Sequence, residues 1–433
     1  MTTMNDADPA DAADQPRDTT DDLTPPAASS SGSAVPWWSP GVAGIGTASF
    51  LSDVGHEIPT ALLPSLLTST LGAPASVLGL IEGISDGLAG LAKLGGGALA
   101  DDPARRRRIA IGGYATTAIL AAGTGAATAT WQVGLLRAGA WTARGLRVPA
   151  RNALLADIVP PAAYGRAYGF ERAMDNLGAI GGPILAIGLI NLFSVRTAIA
   201  LSVIPGLMAA VAILYAIRHT PAPKRTAPAP IRLRVRGVLT PPFGRVFAGI
   251  TAFELGNCAA TLLILRATQL LTTNHDKTRA ATLALVLYVA YNTAATIVSF
   301  PAGHAADKTR PTLVLTAGTI AFTAAYAGLT HDTTNLAVLG LLFIAAGIGI
   351  GLVETAEHAA VAANTAPTTR GSAFGLLAAT QSVGNLAASG IAGIIWTAAS
   401  PSWAFTYLTA WMITATVLLG TTRRAPTAVQ TSI

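Results

Sequence analysis

The sequence has little charge and almost no cysteine. Only 12% of its 433 residues are Asp, Glu, Lys or Arg, about half the share that soluble proteins carry. Hydrophobic residues make up 51%, and the mean hydropathy is +0.51. The one cysteine, Cys258, excludes a disulfide framework and disfavours a cysteine-based metal site. This composition predicts that most of the chain lies in lipid.

Several functional motifs are also missing. Residues 1–36 lack a basic start followed by an apolar run, so we expect no signal peptide. No Gly-Lys-Ser/Thr loop is present to bind phosphate, which disfavours a primary pump. No combination of nucleophile, base and oxyanion donors stands out, so we expect no enzyme. Two isolated His-bearing helix faces predict no metal site, and we expect no cofactor.

Roughly twelve apolar stretches follow Trp37 and Trp38, each long enough to cross a bilayer as a helix, which takes about 20 residues. They predict an all-α membrane protein with twelve transmembrane helices in two pseudo-symmetric bundles of six. The stretches are 41–67, 75–100, 109–130, 132–157, 167–192, 196–217, 244–271, 280–304, 311–330, 334–360, 371–397 and 402–422.

The charged residues outside these stretches indicate the domain organisation. Residues 1–36 hold seven Asp against one Arg, which predicts a disordered acidic tail. Residues 218–243 hold six basic residues and no acid, which predicts a basic linker between two bundles, 37–217 and 244–424. A second tail is predicted over 425–433.

Most basic residues fall at one side of the predicted bundles. By the positive-inside rule both termini and the linker face the cytoplasm of a plasma-membrane protein. Because these residues lie between apolar stretches, we do not expect nucleic acid as a partner. The expected partners are the lipid bilayer, protons and a small-molecule substrate, and we expect a monomer.

The two halves of the sequence repeat at a constant offset of 206 residues. Agreement at two distant sites indicates a duplication, and two related halves with a site between them are typical of secondary transporters. The matching pairs are Gly97 with Gly303, Asp101 with Asp307, Ala167 with Ala373, Gly169 with Gly375, and Gly178 with Gly384.

The loop after the second stretch resembles the first signature motif of the major facilitator superfamily. Its core contains Gly97 and Asp101, with Arg105 among the basic residues that follow. Asp102 and Ala104 depart from the motif, which usually has a basic residue and a Gly there. The resemblance covers residues from about 40 to 424 and implies the alternating-access fold of that family.

The fifth helix resembles the signature of the family's antiporter branch. Gly169, Gly178, Gly182 and Pro183 stand at its spacing, while Ala186 replaces the last Gly. Ordinary small-residue packing remains an alternative explanation of these glycines. The arginine-rich fourth helix also resembles a bacterial drug or metabolite efflux subgroup.

Ionisable residues lie inside the predicted spans, where a charge is costly and usually functional. In the first helix Asp53, His56 and Glu57 share one face. The resemblance implies that the first, fourth, seventh and tenth helices line a central cavity, where Arg144 and Arg147 could meet these acids. We predict that Asp53, and next Glu57, couples protons to substrate.

Two more acids are predicted to belong to the cavity, and other residues to a gate. Glu254 in the seventh helix and Glu354 in the tenth are the cavity candidates. The resemblance implies that Asp101 binds the start of the helix after Arg370 when the cytoplasmic side is closed. The remaining gate candidates are Gly97, Arg105, Asp307, and an ion pair between Arg151 and Glu357.

The sequence therefore predicts a secondary transporter that exports a drug or metabolite in exchange for protons. One alternative is proton-coupled uptake of a nutrient or metal chelate, and another is a receptor or scaffold on a transporter fold. A purely structural pairing of the buried acids and arginines is a third possibility. The acids of the first helix suit a cationic or zwitterionic substrate and the arginines of the fourth suit an anion, which leaves its charge open.

Overall fold

The computed structural model describes residues 37–220 and 231–422. The predicted tails, 1–36 and 425–433, lie outside the described residues, as does the middle of the predicted linker. The helices within these ranges are α1 (Pro40–Ser65), α2 (Ala75–Ala100), α3 (Pro103–Gly123), α4 (Thr130–Ile158), α5 (Tyr164–Leu192), α6 (Val195–Leu201), α7 (Val203–Arg218), α8 (Val235–Val238), α9 (Pro241–Gly256), α10 (Ala260–Leu271), α11 (Lys277–Lys308), α12 (Pro311–Leu329), α13 (Leu336–Asn364), α14 (Arg370–Ala398) and α15 (Pro401–Gly420).

These helices form twelve spans, which confirms the predicted fold class. Two spans are interrupted: α6 and α7 are separated at Ser202, and α9 and α10 are bent by 42° at residues 257–259. Seven of the described spans are long and apolar enough to cross a membrane by composition alone, and the α9–α10 pair makes an eighth. The other four, α1, α2, α4 and α14, carry more charged or small polar residues.

Side chains at the helix starts explain where several helices begin. Asp102 accepts hydrogen bonds from the N–H groups of Ala104 and Arg105 at the start of α3. This cap accounts for the acid at a position where the family motif usually has a basic residue. Asp276 caps α11 in the same way, and the N–H of Arg279 that it binds lowers the pKa of its carboxyl.

Each half is a bundle in which the charged helices are held by their neighbours. In the first half α1 packs on α5 and α7, and α4 packs on α2 and α3. In the second half α13 packs on α11 and α12, and α15 packs on α9 and α12. Two pairs, α2 with α14 and α5 with α11, make the most extensive contacts between the halves, and α4 with α14 and α5 with α13 make smaller ones.

The joined pairs touch at one end and separate at the other. We call the touching end the linker face, because α7 ends and α9 begins there, and the opposite end the far face. A Cβ on Gly97 of α2 would lie 2.7 Å from the backbone of Gly371 and Gly375 in α14. Nothing lies within 4 Å of such a Cβ on Gly79 or Gly83, nearer the far face. The halves therefore enclose a cavity that widens away from the linker face.

Candidate functional site

A cavity of about 700 Å³ lies between the two halves. The first half contributes α2, α4 and α5 to its wall, and the second contributes α9, α13 and α14. The charged residues along it are Asp86, Lys93, Arg144, Arg147, Arg151, Arg172, Asp175, Glu254 and Glu354. All five cations come from the first half, so charge is distributed unevenly across the cavity.

Three of the arginines that line the cavity are paired with carboxylates. Arg144 of α4 lies 3.0 Å from Asp53 of α1. Arg151 lies 2.8 Å from Glu171, and Arg172 lies 3.2 Å from Asp175. The first two pairs link α4 to α1 and to α5, so these charges stabilise the helix packing of the first half.

Arg147 differs from its neighbours on α4. Its side chain is 2% exposed, and none of the described carboxylates lies within ion-pair distance of it. One terminal nitrogen donates to the Ser52 hydroxyl at 2.6 Å, and the guanidinium lies 3.8 Å from the centre of the Tyr114 ring. Its Nε and Nη1 have no hydrogen-bond partner in the described part of the chain. Arg147 is therefore a buried cation that touches the cavity wall, but its guanidinium packs between α1 and α3, and its two unbonded nitrogens are enclosed by protein.

The second half places acids along the cavity without any cation beside them. Glu254 is 3% exposed, and its carboxylate accepts a bond of 3.2 Å from the Asn257 side chain. Glu354 lies on the same wall, and Glu357 is buried behind it, where Gln381 donates to one of its oxygens. No described Lys or Arg lies within 4 Å of these three carboxylates.

The predicted coupling residues of α1 lie behind the cavity wall. Asp53 is buried and bound to Arg144, as the sequence suggested, but neither Asp53 nor Glu57 lines the cavity. Glu57 packs with its Cβ against Gly182 of α5. His56 packs edge-on against the Trp141 ring, with centroids 4.7 Å apart. Their role in proton coupling stays a prediction.

The predicted gate residues gather at the linker face. The backbone N–H of Ser372, at the start of α14, donates to Asp101 at 2.8 Å. Asp307 accepts from the N–H groups of Gly165 and Arg166 at the start of α5, and its carboxylate is 2.7 Å from the Arg166 guanidinium. These equivalent carboxylates each cap a helix of the other half.

Two other gate predictions have a different outcome. Arg151 is bound to Glu171 and Asp175 in its own half, and Glu357 accepts from Gln381. The predicted Arg151–Glu357 ion pair is therefore wrong for this conformation, because each side chain has a nearer partner. Arg105 lies at the linker face and pairs with Asp102 in the preceding turn.

A third contact between the halves was not found by sequence reasoning. Asp157, at the end of α4, binds Arg106 of the first half and lies 3.0 Å from Arg370 of the second. Arg370 also donates to the Tyr164 hydroxyl. Tyr164 and Arg370 are equivalent at the 206-residue offset, which is the signal that could have identified this contact.

The signature residues of α5 allow helices to approach closely. Gly169 lies against the backbone of Ser299 in α11, and a Cβ on Gly178 would lie 2.6 Å from the Phe50 carbonyl oxygen in α1. Gly182 contacts Glu57, and Pro183 follows inside the helix. Any larger residue at these glycines would push α5 away from α1 or α11.

A family model of the Major Facilitator Superfamily matches residues 45–274 and 267–432. The chain belongs to the Major Facilitator Superfamily. It is 28% identical over 366 residues to an uncharacterized MFS-type transporter of Methanocaldococcus jannaschii, covering 84% of this chain and 90% of that protein. The superfamily model and the fold are those of secondary transporters.

Two solved structures of the Major Facilitator Superfamily fold are similar to this chain. A bacterial homologue of the iron transporter ferroportin, in an outward-facing state, has a TM-score of 0.70 and 14% identity, covering 88% of this chain and 98% of that one. The transporter FucP, in an outward conformation, has a TM-score of 0.68 and 14% identity, covering 89% and 99%. Identity this low establishes the common fold alone.

Proposed function

We propose that this protein exports a small organic molecule across the plasma membrane in exchange for protons, by alternating access. The linker face is then cytoplasmic, which the basic residues at that end support. The described conformation, with α2–α14 and α5–α11 in contact at the linker face, is accordingly the outward-facing state. The opposite state arises when these contacts open and the far-face ends of the helices approach.

The observation that carries the proposal is the pair of cavity carboxylates without a cation, Glu254 and Glu354. Burying an ionised carboxylate without a counter-ion is costly, and binding either a proton or a cationic group removes that cost. A proton entering from outside therefore replaces the substrate on these acids. In the inward-facing state, a substrate from the cytoplasm displaces the proton.

Asp53 has a complementary role in this scheme. In the outward-facing state its carboxylate lies 3.0 Å from the Arg144 guanidinium. Rearrangement of α1 against α4 separates the pair in the opposite state, which leaves Asp53 available for a proton. Asp53 is therefore a second coupling site that acts at a different stage of the cycle.

The proposal is tested by following protons when substrate binds. A substrate is first identified by screening toxic compounds on cells that lack or overproduce the protein. Purified full-length protein in lightly buffered detergent is then mixed with that compound, and the change in pH is recorded. Competition for the same acids predicts proton release on binding, whereas a proton-coupled uptake symporter takes up protons.

Variants assign the released protons to residues. We expect Glu254→Gln and Glu354→Gln each to reduce proton release and to make binding less dependent on pH. Asp332→Asn serves as the control, because Asp332 is 78% exposed at the far face, away from the cavity. Proton uptake on binding, or release that both Gln variants leave unchanged, would contradict the proposed exchange.

A further inference from the structure

We propose that Lys93 of α2 holds the linker face closed as long as Glu254 is ionised, and releases it when Glu254 takes up a proton. Lys93 is then a positioning residue that links the charge of a cavity acid to the movement of the two halves. The inference rests on the proposed exchange and adds the device that keeps an empty, unprotonated transporter from returning to the inward-facing state.

Lys93 connects the two halves at the narrow end of the cavity. It projects from α2 of the first half, and its ammonium donates to the Ser382 hydroxyl in α14 of the second half. A Cβ on Gly375 of α14 would lie 2.8 Å from the carbonyl oxygen of Lys93. A Cβ on Gly90, nearer the far face, would lie 3.6 Å from the Cβ of Ser382. The Lys93 side chain therefore lies where α2 and α14 begin to separate.

Lys93 differs from the other cations of the cavity in its partners. The four arginines that line the cavity bind partners within the first half, and three of them bind carboxylates. No described carboxylate lies within 4 Å of the Lys93 ammonium. Of the five cations, Lys93 is the one that donates a hydrogen bond to the second half among the described residues. Its charge can therefore act between the halves.

Glu254 supplies the opposite charge in the second half. It is 3% exposed, lines the same cavity, and packs with its Cβ against Gly384, two residues beyond Ser382 in α14. The Glu254 carboxylate and the Lys93 ammonium are near enough to interact electrostatically. Attraction between two charges extends beyond hydrogen-bond distance, and the low-dielectric walls of a cavity screen it less than bulk water does. An ionised Glu254 therefore draws α2 toward the second half.

Other titratable and charged groups surround this pair. Those of the second half are acids, a histidine and a tyrosine, and those of the first half are arginines and two aspartates. They are Glu354, Glu357 and His358 of α13, Tyr291 of α11, Asp86 of α2, Arg144, Arg147 and Arg151 of α4, and Arg172 and Asp175 of α5. Asp86 belongs to the same helix as Lys93, so its attraction for Lys93 does not hold the halves together. Arg172 and Glu354 also attract each other between the halves, but Arg172 is already bonded to carboxylates of α5.

These charges make the contact between α2 and α14 depend on whether Glu254 is protonated. With Glu254 ionised and no substrate bound, its attraction for Lys93 keeps the linker face closed and the cavity open to the outside. A proton from outside neutralises Glu254, which removes the attraction and allows the halves to separate at the linker face. Return to the inward-facing state therefore requires a proton, which ties each exported substrate to a proton carried inward.

Spin labels at the linker face test the inference. They are attached to cysteines that replace Ala104 and Thr368, two exposed residues on opposite halves, in the full-length protein with Cys258→Ala. Pulsed electron paramagnetic resonance in detergent, without substrate, gives the ratio of open to closed linker faces. It is measured at about pH 8.5 and about pH 6, a range in which exposed carboxylates stay ionised. We expect the ratio to rise about three- to fivefold at the lower pH, the size expected when one hydrated ion-pair attraction is lost.

Variants separate the charge of Lys93 from its hydrogen bond. Lys93→Gln and Lys93→Met, two neutral variants, should open the linker face at the higher pH and remove most of the change with pH. Lys93→Arg keeps the charge and should retain the change. Ser382→Ala is the matched control, because it removes the hydrogen bond but not the charge, so the ratio should still rise as the pH falls.

A double-mutant cycle assigns the pH response to the pair. Glu254→Gln should open the linker face at both pH values, and Lys93→Gln should add little to it, because the attraction is already lost. The inference is overturned if the neutral Lys93 variants keep the pH response, if Ser382→Ala abolishes it, or if the effects of Glu254→Gln and Lys93→Gln add in full.

The outcomes also separate this inference from the proposed exchange. If substrate binding releases protons through Glu254 but Lys93→Gln keeps the pH response of the linker face, the exchange stands and the role of Lys93 is wrong. If the linker face responds to pH through both residues but substrate binding releases no protons, the role of Lys93 stands and proton exchange is wrong.

Discussion

The two halves of the transporter use intramembrane charge in opposite ways. In the first half, most of the intramembrane acids bind arginines, as Asp53 does with Arg144 and Glu171 with Arg151. In the second half, Glu254 and its neighbours on α13 have no described cation within 4 Å. Paired charges hold helices in place, whereas unpaired acids are available for a proton or a ligand. We therefore propose that ion pairs mainly hold the first half together, whereas the acids of the second half are the main ones available to a proton or a ligand.

The 206-residue repeat shows where this difference lies in the chain. Arg151 of the first half is equivalent to Glu357 of the second, and Asp175 is equivalent to Gln381. Arg151 and Asp175 form an ion pair in the first half. At the equivalent positions of the second half, the Glu357 carboxylate accepts a hydrogen bond from the Gln381 amide. The second half therefore has an acid where the first half has an arginine.

The largest expected effect comes from neutralising one acid in each half. Glu171→Gln should lower the free energy of unfolding by about 3 kcal/mol, because it breaks buried ion pairs with Arg151 and Arg172. Glu254→Gln should change it by less than about 1 kcal/mol, because it removes a buried charge that has no partner. Thermal unfolding of both variants in detergent, without substrate, measures the difference. Equal destabilisation by the two substitutions would mean that the halves do not differ in how much their buried acids contribute to stability.

A smaller effect is expected at the two carboxylates that cap helices across the linker face. Asp307 accepts two backbone N–H bonds and pairs with Arg166, whereas Asp101 binds only Ser372 among the described residues. Asp307→Asn should favour the inward-facing state by about 2 kcal/mol, an approximately 30-fold shift in population. Asp101→Asn should shift it by about 1 kcal/mol.

Spin labels report this shift directly. Ala104 in α3 and Thr368 before α14 are exposed at the linker face, on opposite halves. In a Cys258→Ala background, spin labels on a cysteine pair at these positions report the distance between the halves by pulsed electron paramagnetic resonance. The longer-distance population should be larger in Asp307→Asn than in Asp101→Asn. The reverse order would show that the ion pair with Arg166 does not strengthen the gate.

The sequence predicts the spans and some of the site for identifiable reasons. The apolar stretches determine where helices form, and the Asp53–Arg144 pair follows from opposite charges on two helices that the family resemblance brings together. The prediction of an Arg151–Glu357 ion pair was wrong because the 206-residue offset identifies equivalent positions in the two halves, which need not be neighbours. Equivalent positions contact each other only near the axis that relates the halves. Tyr164 and Arg370 satisfy that condition, but the distance of a residue from this axis requires three-dimensional coordinates. The unused nitrogens of Arg147 likewise depend on rotamers that no sequence pattern specifies.

The smallest expected effect comes from an exposed ion pair of the second half. It tests whether the exposure of a charged residue, rather than the half in which it lies, determines how much that residue stabilises the protein. Arg266 and Asp332 form an arginine–carboxylate pair within the described second half, at 2.8 Å. Asp332 is 78% exposed, and Arg266 also donates to the carbonyls of Leu329 and His331. Asp332→Asn should therefore lower the free energy of unfolding by less than about 0.5 kcal/mol, since water and these carbonyls continue to satisfy Arg266. A loss comparable to that of Glu171→Gln, measured by the same thermal unfolding, would contradict this expectation. It would mean that ion pairs stabilise the second half as strongly as the first, even where they are exposed.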